Sequence, residues 1–179
     1  MNILRLVSAL ETSFLARYLP YLLREADQTL SAPFYAALTE QGVARSEWRV
    51  LAVLFEFGSL PVVDLATAAL SPQPTVTHAL RRLEERGFVT RQPGKKDKRQ
   101  RVITITEQGA SLTSTLVDTA KRLEADALAD AGDLSGLLEQ LQALTQSVRH
   151  RLDGANGPSI PSSSPDAKPL GPNGKTIAT

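Results

Sequence analysis

The sequence predicts a mainly α-helical chain that carries one small β-hairpin. Three observations predict it. Apolar residues recur at helical spacing along most of residues 1–152, and the period changes to two only around 88–91 and 101–105. Between those stretches the chain is dense in Lys and Arg. With 179 residues, 42% of them hydrophobic, it is long enough for one domain or two small ones with a real core.

Met1 to Arg17 is helical in pattern (Ile3, Leu6, Leu10, Phe14), but Arg5 and Glu11 interrupt it, so it reads as neither a signal peptide nor a membrane span. Pro20 suits the first turn of a second helix, expected to run to about Leu30. Ala32-Pro33 predicts a break, because the residue before proline is pushed out of helical geometry, and Phe34–Thr39 then reads as a short separate piece. Tyr18, Leu19, Tyr21, Leu22 and Leu23 make these amino-terminal helices more apolar than a monomer of this size easily hides.

Ser46-Glu47-Trp48-Arg49 opens a helix with Val50, Leu51, Val53, Leu54 and Phe57 as its stripe, stopped by Gly58. Ser59 with Pro61 is expected to start a short helix from Val62 to about Leu70. Ser71-Pro72 restarts the chain as N-cap and first helical residue, and this third helix ends at Arg86 before Gly87. Three short helices with tight stops predict a helix-turn-helix. Phe88–Arg91 and Arg101–Ile105 read as strands joined through Pro93-Gly94 and a basic tip. Thr106 then caps a helix to about Leu128. A last helix, Leu134–Leu152, steps Leu137, Leu141, Leu144, Val148 at the spacing of a helix–helix seam. Residues 154–179 are half Pro, Gly and Ser, a composition expected to be disordered.

Charge and composition narrow the function. Residues 81–101 hold nine basic and three acidic side chains, against five and seven in 1–80 and four and eight in 102–153. A local basic patch on an acidic body suits a polyanion. The absence of cysteine excludes disulfides, thiol catalysis, thiol sensing and cysteine-ligated metals. Two histidines, His78 and His150, supply no metal cluster, and there is neither a nucleophile–base pair nor a glycine-rich phosphate loop. No catalytic residue, metal or cofactor is therefore assigned, and an enzyme is not expected.

On helix 72–86, Val76, Ala79, Leu80 and Leu83 share the face that must be buried. The outward side, with its flanks, offers Gln73, Pro74, Thr75, Thr77, His78, Arg81 and Arg82 to base edges and phosphates. The helix N-terminus adds its own dipole. In the hairpin, Lys95, Lys96 and Lys98 suit phosphates and Arg99 the minor groove, with Asp97 holding the arginine by hydrogen bonding. A helix for the major groove and a basic wing beside it complement one duplex. A winged-helix module that binds protein without DNA is the alternative, and it would fit an acidic or neutral wing better.

Residues 18–152 resemble the MarR family of winged helix-turn-helix transcription regulators. The likeness is carried by Ser46-Glu47-Trp48-Arg49-Val50-Leu51, Asp64-Leu65-Ala66, Thr75-Val76-Thr77, Leu83-Glu84-Glu85-Arg86-Gly87-Phe88-Val89-Thr90-Arg91, Asp97-Lys98-Arg99 and Ile105-Thr106-Glu107-Gln108-Gly109. The resemblance implies a cytoplasmic homodimer with intertwined terminal helices. It implies binding to a pseudo-palindromic operator in double-stranded DNA, usually as a repressor, and release by a small aromatic carboxylate or phenol. It divides the chain into N-terminal dimerisation helices (1–40), a winged helix-turn-helix (41–110), C-terminal dimerisation helices (111–153) and a tail (154–179). Arg24, Phe34, Trp48 and Arg49 fall in segments that border the ligand pocket in relatives. Two departures stand out: His78 occupies a position where many members carry a base-reading arginine, and the cysteine of the peroxide-sensing branch is missing. Replacing Arg99 by Ala is expected to cost roughly 1–3 kcal/mol of DNA binding with unchanged thermal stability, measured by gel-shift titration and melting.

Overall fold

A computed structural model describes residues 13–94 and 101–156. After a 3-10 turn at Phe14–Arg17, the elements are α1 (Leu19–Glu40), α2 (Arg45–Phe57), β1 (Ser59–Pro61), α3 (Val62–Ala68), α4 (Gln73–Glu85), β2 (Val89–Pro93), β3 (Arg101–Ile105), α5 (Glu107–Ala127) and α6 (Ser135–Asn156). The mainly helical class with a small hairpin wing is thus observed. Residues up to Ala127 form one unit and those from Leu128 a second.

In the first unit one expectation is corrected and one strand was missed. The helix does not break at Ala32-Pro33: α1 runs through Pro33 as one helix. An internal proline costs about 3 kcal/mol in a lost hydrogen bond and a ring clash. The next turns recover it by burying Phe34 and Leu38 against Val43 and Leu116, with Trp48, Tyr35 and Leu112 around them. The helix expected from Val62 does begin there, but the lead-in before it is more than a helix start. Ser59–Pro61 is a third strand, antiparallel to β3 with Leu60 opposite Ile103, and the sheet order is β1-β3-β2. Three residues are too few for a readable alternation, and their partner lies more than 40 positions away. The amino-terminal helix expected over Met1–Arg17 falls mostly outside the described residues; within them Phe14 stacks on Tyr18 in the 3-10 turn.

The main core joins α2, α3, α4 and the sheet through Leu51, Leu54, Leu65, Val76, Leu80, Leu83 and Ile103. The apolar side of α4 is therefore turned in, as its spacing predicts. Its entry differs from the expected cap: Ser71 Oγ donates to the Ala69 carbonyl rather than capping α4, and Pro72 occupies the N-cap. The turn before it carries Leu70 at φ +50, a left-handed conformation that costs a residue with a Cβ roughly 1–2 kcal/mol. The exit behaves as expected. Gly87 adopts φ +74 and Phe88 N–H donates to the Leu83 carbonyl at 2.9 Å, which closes the helix and turns the chain into β2.

One joint between the wing and the body is centred on Thr106. Thr106 Oγ1 donates to the Gly87 carbonyl (2.8 Å) and accepts from Gly109 N–H (3.0 Å), so one hydroxyl ties the end of α4 to the start of α5. Thr106 N–H also donates to the Phe88 carbonyl. α5 comes so close that a Cβ at Gly109 would run into the Phe88 carbonyl oxygen.

In the second unit, Asp133 accepts from Ser135 N–H (2.9 Å) and from Ser135 Oγ (3.0 Å) at the head of α6. Both bonds favour the ionised carboxylate, the backbone one most, and hold its pKa below the usual value. The helix continues to Asn156, four residues beyond the expected end at Leu152, and the rest of the presumed tail lies outside the described residues. Gly109→Ala is expected to destabilise the protein by about 1–3 kcal/mol or more, read as a lower urea midpoint, because backbone rather than a flexible side chain must yield.

Candidate nucleic-acid interface

The polar side of α4 and the first strand of the wing wall a groove of about 770 Å³ lined by Gln73, Pro74, Thr77, His78, Arg81, Glu84 and Arg91. Five of the residues assigned from sequence therefore share one concave surface. Thr75 is exposed on the flank of the same helix. Arg91, at the base of the wing, was not singled out for this role. It ion-pairs with Glu84 at 3.6 Å and so spans the groove from the wing to the helix. Lys95, Lys96, Asp97, Lys98 and Arg99 lie outside the described residues.

Arg82 is exposed, as its spacing predicts, but its guanidinium is engaged with the body of the protein. Its Nε lies 2.9 Å from Glu47 Oε1, and Glu47 is fully buried at the start of α2. Arg86 Nη1 reaches the same carboxylate at Oε2 (3.4 Å) and donates to the Gly42 carbonyl at 2.8 Å, while its guanidinium covers the Phe88 ring. Ala44 N–H donates to Glu47 Oε2 at 2.9 Å, the half of a capping box that the glutamate supplies. Among the described residues Oε1 accepts no aligned hydrogen bond, and the charge of Arg82 is what compensates it. Two arginines of the α4 segment thus hold a buried anion and fix the orientation of the helix against α2.

Sequence reasoning missed Glu47 as a structural centre. Its signal is faint, since Ala44 stands where a capping box normally has Ser or Thr, and the paired arginines are 35 and 39 residues away.

Of the four residues assigned to a ligand pocket, the structure brings two together. Phe34 and Trp48 pack edge to face with ring centroids 4.9 Å apart. Arg24 is exposed ten residues earlier on α1, about 15 Å along the helix axis, and Arg49 is exposed on α2. The cation beside the aromatic cluster is instead Arg45, 3.9 Å over the Tyr35 ring, with Tyr35 next to Phe34.

Comparison with known proteins settles the kinship. A family model described as MarR family matches residues 43–101, the helix-turn-helix and the wing. The homoprotocatechuate degradative operon repressor of Escherichia coli is 30% identical over 139 residues, which cover 75% of this chain and 94% of that protein. The chain belongs to the MarR family. Like other members, this MarR-family protein is a DNA-binding transcription regulator and not an enzyme. The regulator FarR of Neisseria gonorrhoeae is 32% identical over 88 residues, 49% of this chain and 60% of FarR. Among solved structures, a MarR family regulator from Silicibacter pomeroyi DSS-3 superposes with TM-score 0.64 at 33% identity, covering 74% of this chain and 98% of that one. NadR in complex with 4-hydroxyphenylacetate superposes with TM-score 0.64 at 26% identity over 72% and 91%. Among the described residues no helix is long and apolar enough to cross a membrane.

Glu47→Gln keeps the side chain's shape while removing the charge that Arg82 and Arg86 share. It is expected to cost roughly 1–3 kcal/mol in chemical denaturation, less than a fully buried ion pair because both arginines are partly exposed.

Proposed function

We propose that this MarR-family protein is a homodimeric repressor that docks one α4 helix into the major groove of each half of a pseudo-palindromic operator and is released by a small aromatic carboxylate or phenol. The observation that carries the reading is the groove between α4 and the wing, whose walls are Gln73, Thr77, His78, Arg81 and Arg91. Thr75 reaches phosphates from the flank, Lys95, Lys96, Lys98 and Arg99 supply the wing contacts, and Arg82 braces the helix through Glu47. In this reading residues 41–110 bind DNA, 1–40 and 111–153 dimerise, and the protein works in the cytoplasm, where its operator is.

Dimerisation is supported by apolar surface that each unit leaves uncovered. Tyr18, Leu19, Leu22, Leu23 and Leu30 are exposed along α1, and Leu137, Leu144, Val148 and Leu152 along α6. Such stripes are costly in water and are covered by a second copy. The effector reading is supported by the Phe34–Trp48 pair with Arg45 nearby, and by relatives: one represses a homoprotocatechuate degradative operon and another is bound to 4-hydroxyphenylacetate. A flat ring with an acidic group would stack on such rings and pair with a guanidinium.

The test is a gel-shift titration on the duplex upstream of the protein's own gene, with 4-hydroxyphenylacetate as probe and the mass of the free protein measured by light scattering. A dimeric mass, retardation that weakens by about a thousandfold between 50 and 200 mM salt, and release by the probe are expected. A monomeric mass overturns the dimer, absence of retardation at low salt overturns operator binding, and retardation that is indifferent to a panel of aromatic acids overturns the effector.

A further inference from the structure

His78 stands in the middle of the outward side of α4, one turn from Arg81, and both line the groove. Arg81 Nη2 lies 3.2 Å from His78 Nδ1. A guanidinium has five N–H donors and no acceptor, so in this contact Nδ1 presents its lone pair, and the neutral ring carries its proton on Nε2. Arg81 is itself steadied from the other side, where its Nε lies 3.9 Å from Glu85 Oε1. His78, Arg81 and Glu85 therefore form a row along the helix in which each side chain orients the one before it. No other hydrogen bond engages the His78 ring among the described residues. The remaining ring nitrogen is left as a single N–H donor at the groove.

We propose that His78 is a specificity-determining residue, held by Arg81 in the Nε2–H tautomer so that it offers one donor to an acceptor on a base edge, and that this makes guanine the preferred base at one position in each half-site. The inference rests on α4 being the recognition helix. In the major groove guanine presents two adjacent acceptors, N7 and O6. Thymine presents O4 beside a methyl group, and adenine N7 stands next to a donating amino group. Cytosine presents its own donor, which faces His78 N–H with N–H. The order of preference is guanine, then thymine and adenine, and cytosine last. Arg81 acts on this position as a positioning residue through the imidazole, whatever base it contacts itself.

Two measurements test the proposal. The first is the long-range 15N spectrum of the full-length protein at a pH where the rings are neutral. With only His78 and His150 present, a His78→Ala sample assigns the signals. A pure Nε2–H pattern for His78 is expected, changing to a mixture of tautomers in Arg81→Met. A dominant Nδ1–H form in the unaltered protein overturns the proposal.

The second is selection from a randomised duplex library with the full-length protein, His78→Ala and His78→Gln. The unaltered protein is expected to enrich guanine at one symmetric position by about fivefold or more over cytosine. His78→Ala should level that position while keeping the rest of the site, and His78→Gln, whose amide both donates and accepts, should move the preference toward adenine. If His78→Ala keeps the preference, or loses all positions equally while melting like the unaltered protein, His78 does not read a base. If the unaltered protein enriches no sequence at all, it is the reading of α4 as a recognition helix that fails.

Discussion

The buried carboxylate of Glu47 is the point on which the outward surface of α4 depends. A charge removed from water must be met by opposite charge and by donors, or it destabilises the fold by several kcal/mol. Here it is met by Arg82, Arg86 and Ala44 N–H, which come from two different elements. The cost of leaving that anion uncompensated is what ties α4 to α2. Hydrophobic contact through Val50, Leu51, Leu80 and Leu83 holds the two helices together, but non-directional contact tolerates small rotations. An ion pair anchored at a fully buried oxygen tolerates far less. The rotation of α4 decides which of its side chains face the groove, so the orientation of His78 and Arg81 follows from a residue that does not touch it.

The same site lies beside the aromatic cluster. Glu47 and Trp48 are consecutive on α2, one turned into the ion-pair network and the other against Phe34 on α1. A molecule inserted between Phe34 and Trp48 would press on the same turn of α2 that holds Arg82 and Arg86. The aromatic pair and the ion-pair network thus share one turn of α2. The wing has its own anchor in Thr106, whose hydroxyl joins α4, β2 and α5, and in the close approach of Gly109 to Phe88. Helix and wing each have an anchor, and the Arg91–Glu84 ion pair links the two walls of the groove between them.

Much of this was legible beforehand because the signals are local. The inward set of α4 follows from a 3.6-residue period, its stop from Gly87, the head of α5 from Thr106, and the two strands of the wing from a change of period, although β2 runs on through Gln92 and Pro93, which read as part of the turn. Each requires only residues within a turn or two of one another. Pro33 misled, and the strand at Ser59–Pro61 went unread, for the opposite reason. The local penalty at Pro33 is real, but burial of Phe34 and Leu38 outweighs it, and β1 exists only because β3 lies alongside. Arg24 was grouped with Phe34 by sequence region, and α1 carries it several turns away.

By itself the amino-acid sequence determined the kind of molecule: helical, with a basic hairpin after a helix that has one apolar and one polar side, and without cysteine for thiol chemistry. Those properties reside in composition, period and short motifs, which do not depend on distant partners. Tertiary structure alone decided the employment of individual charges. Arg81 and Arg82 are neighbours in the chain, yet one reaches His78 at the groove and the other a buried glutamate. The partners of Arg81, His78 and Glu85, lie on its own helix, whereas the anion that engages Arg82 comes from 35 residues upstream and is brought near only by packing.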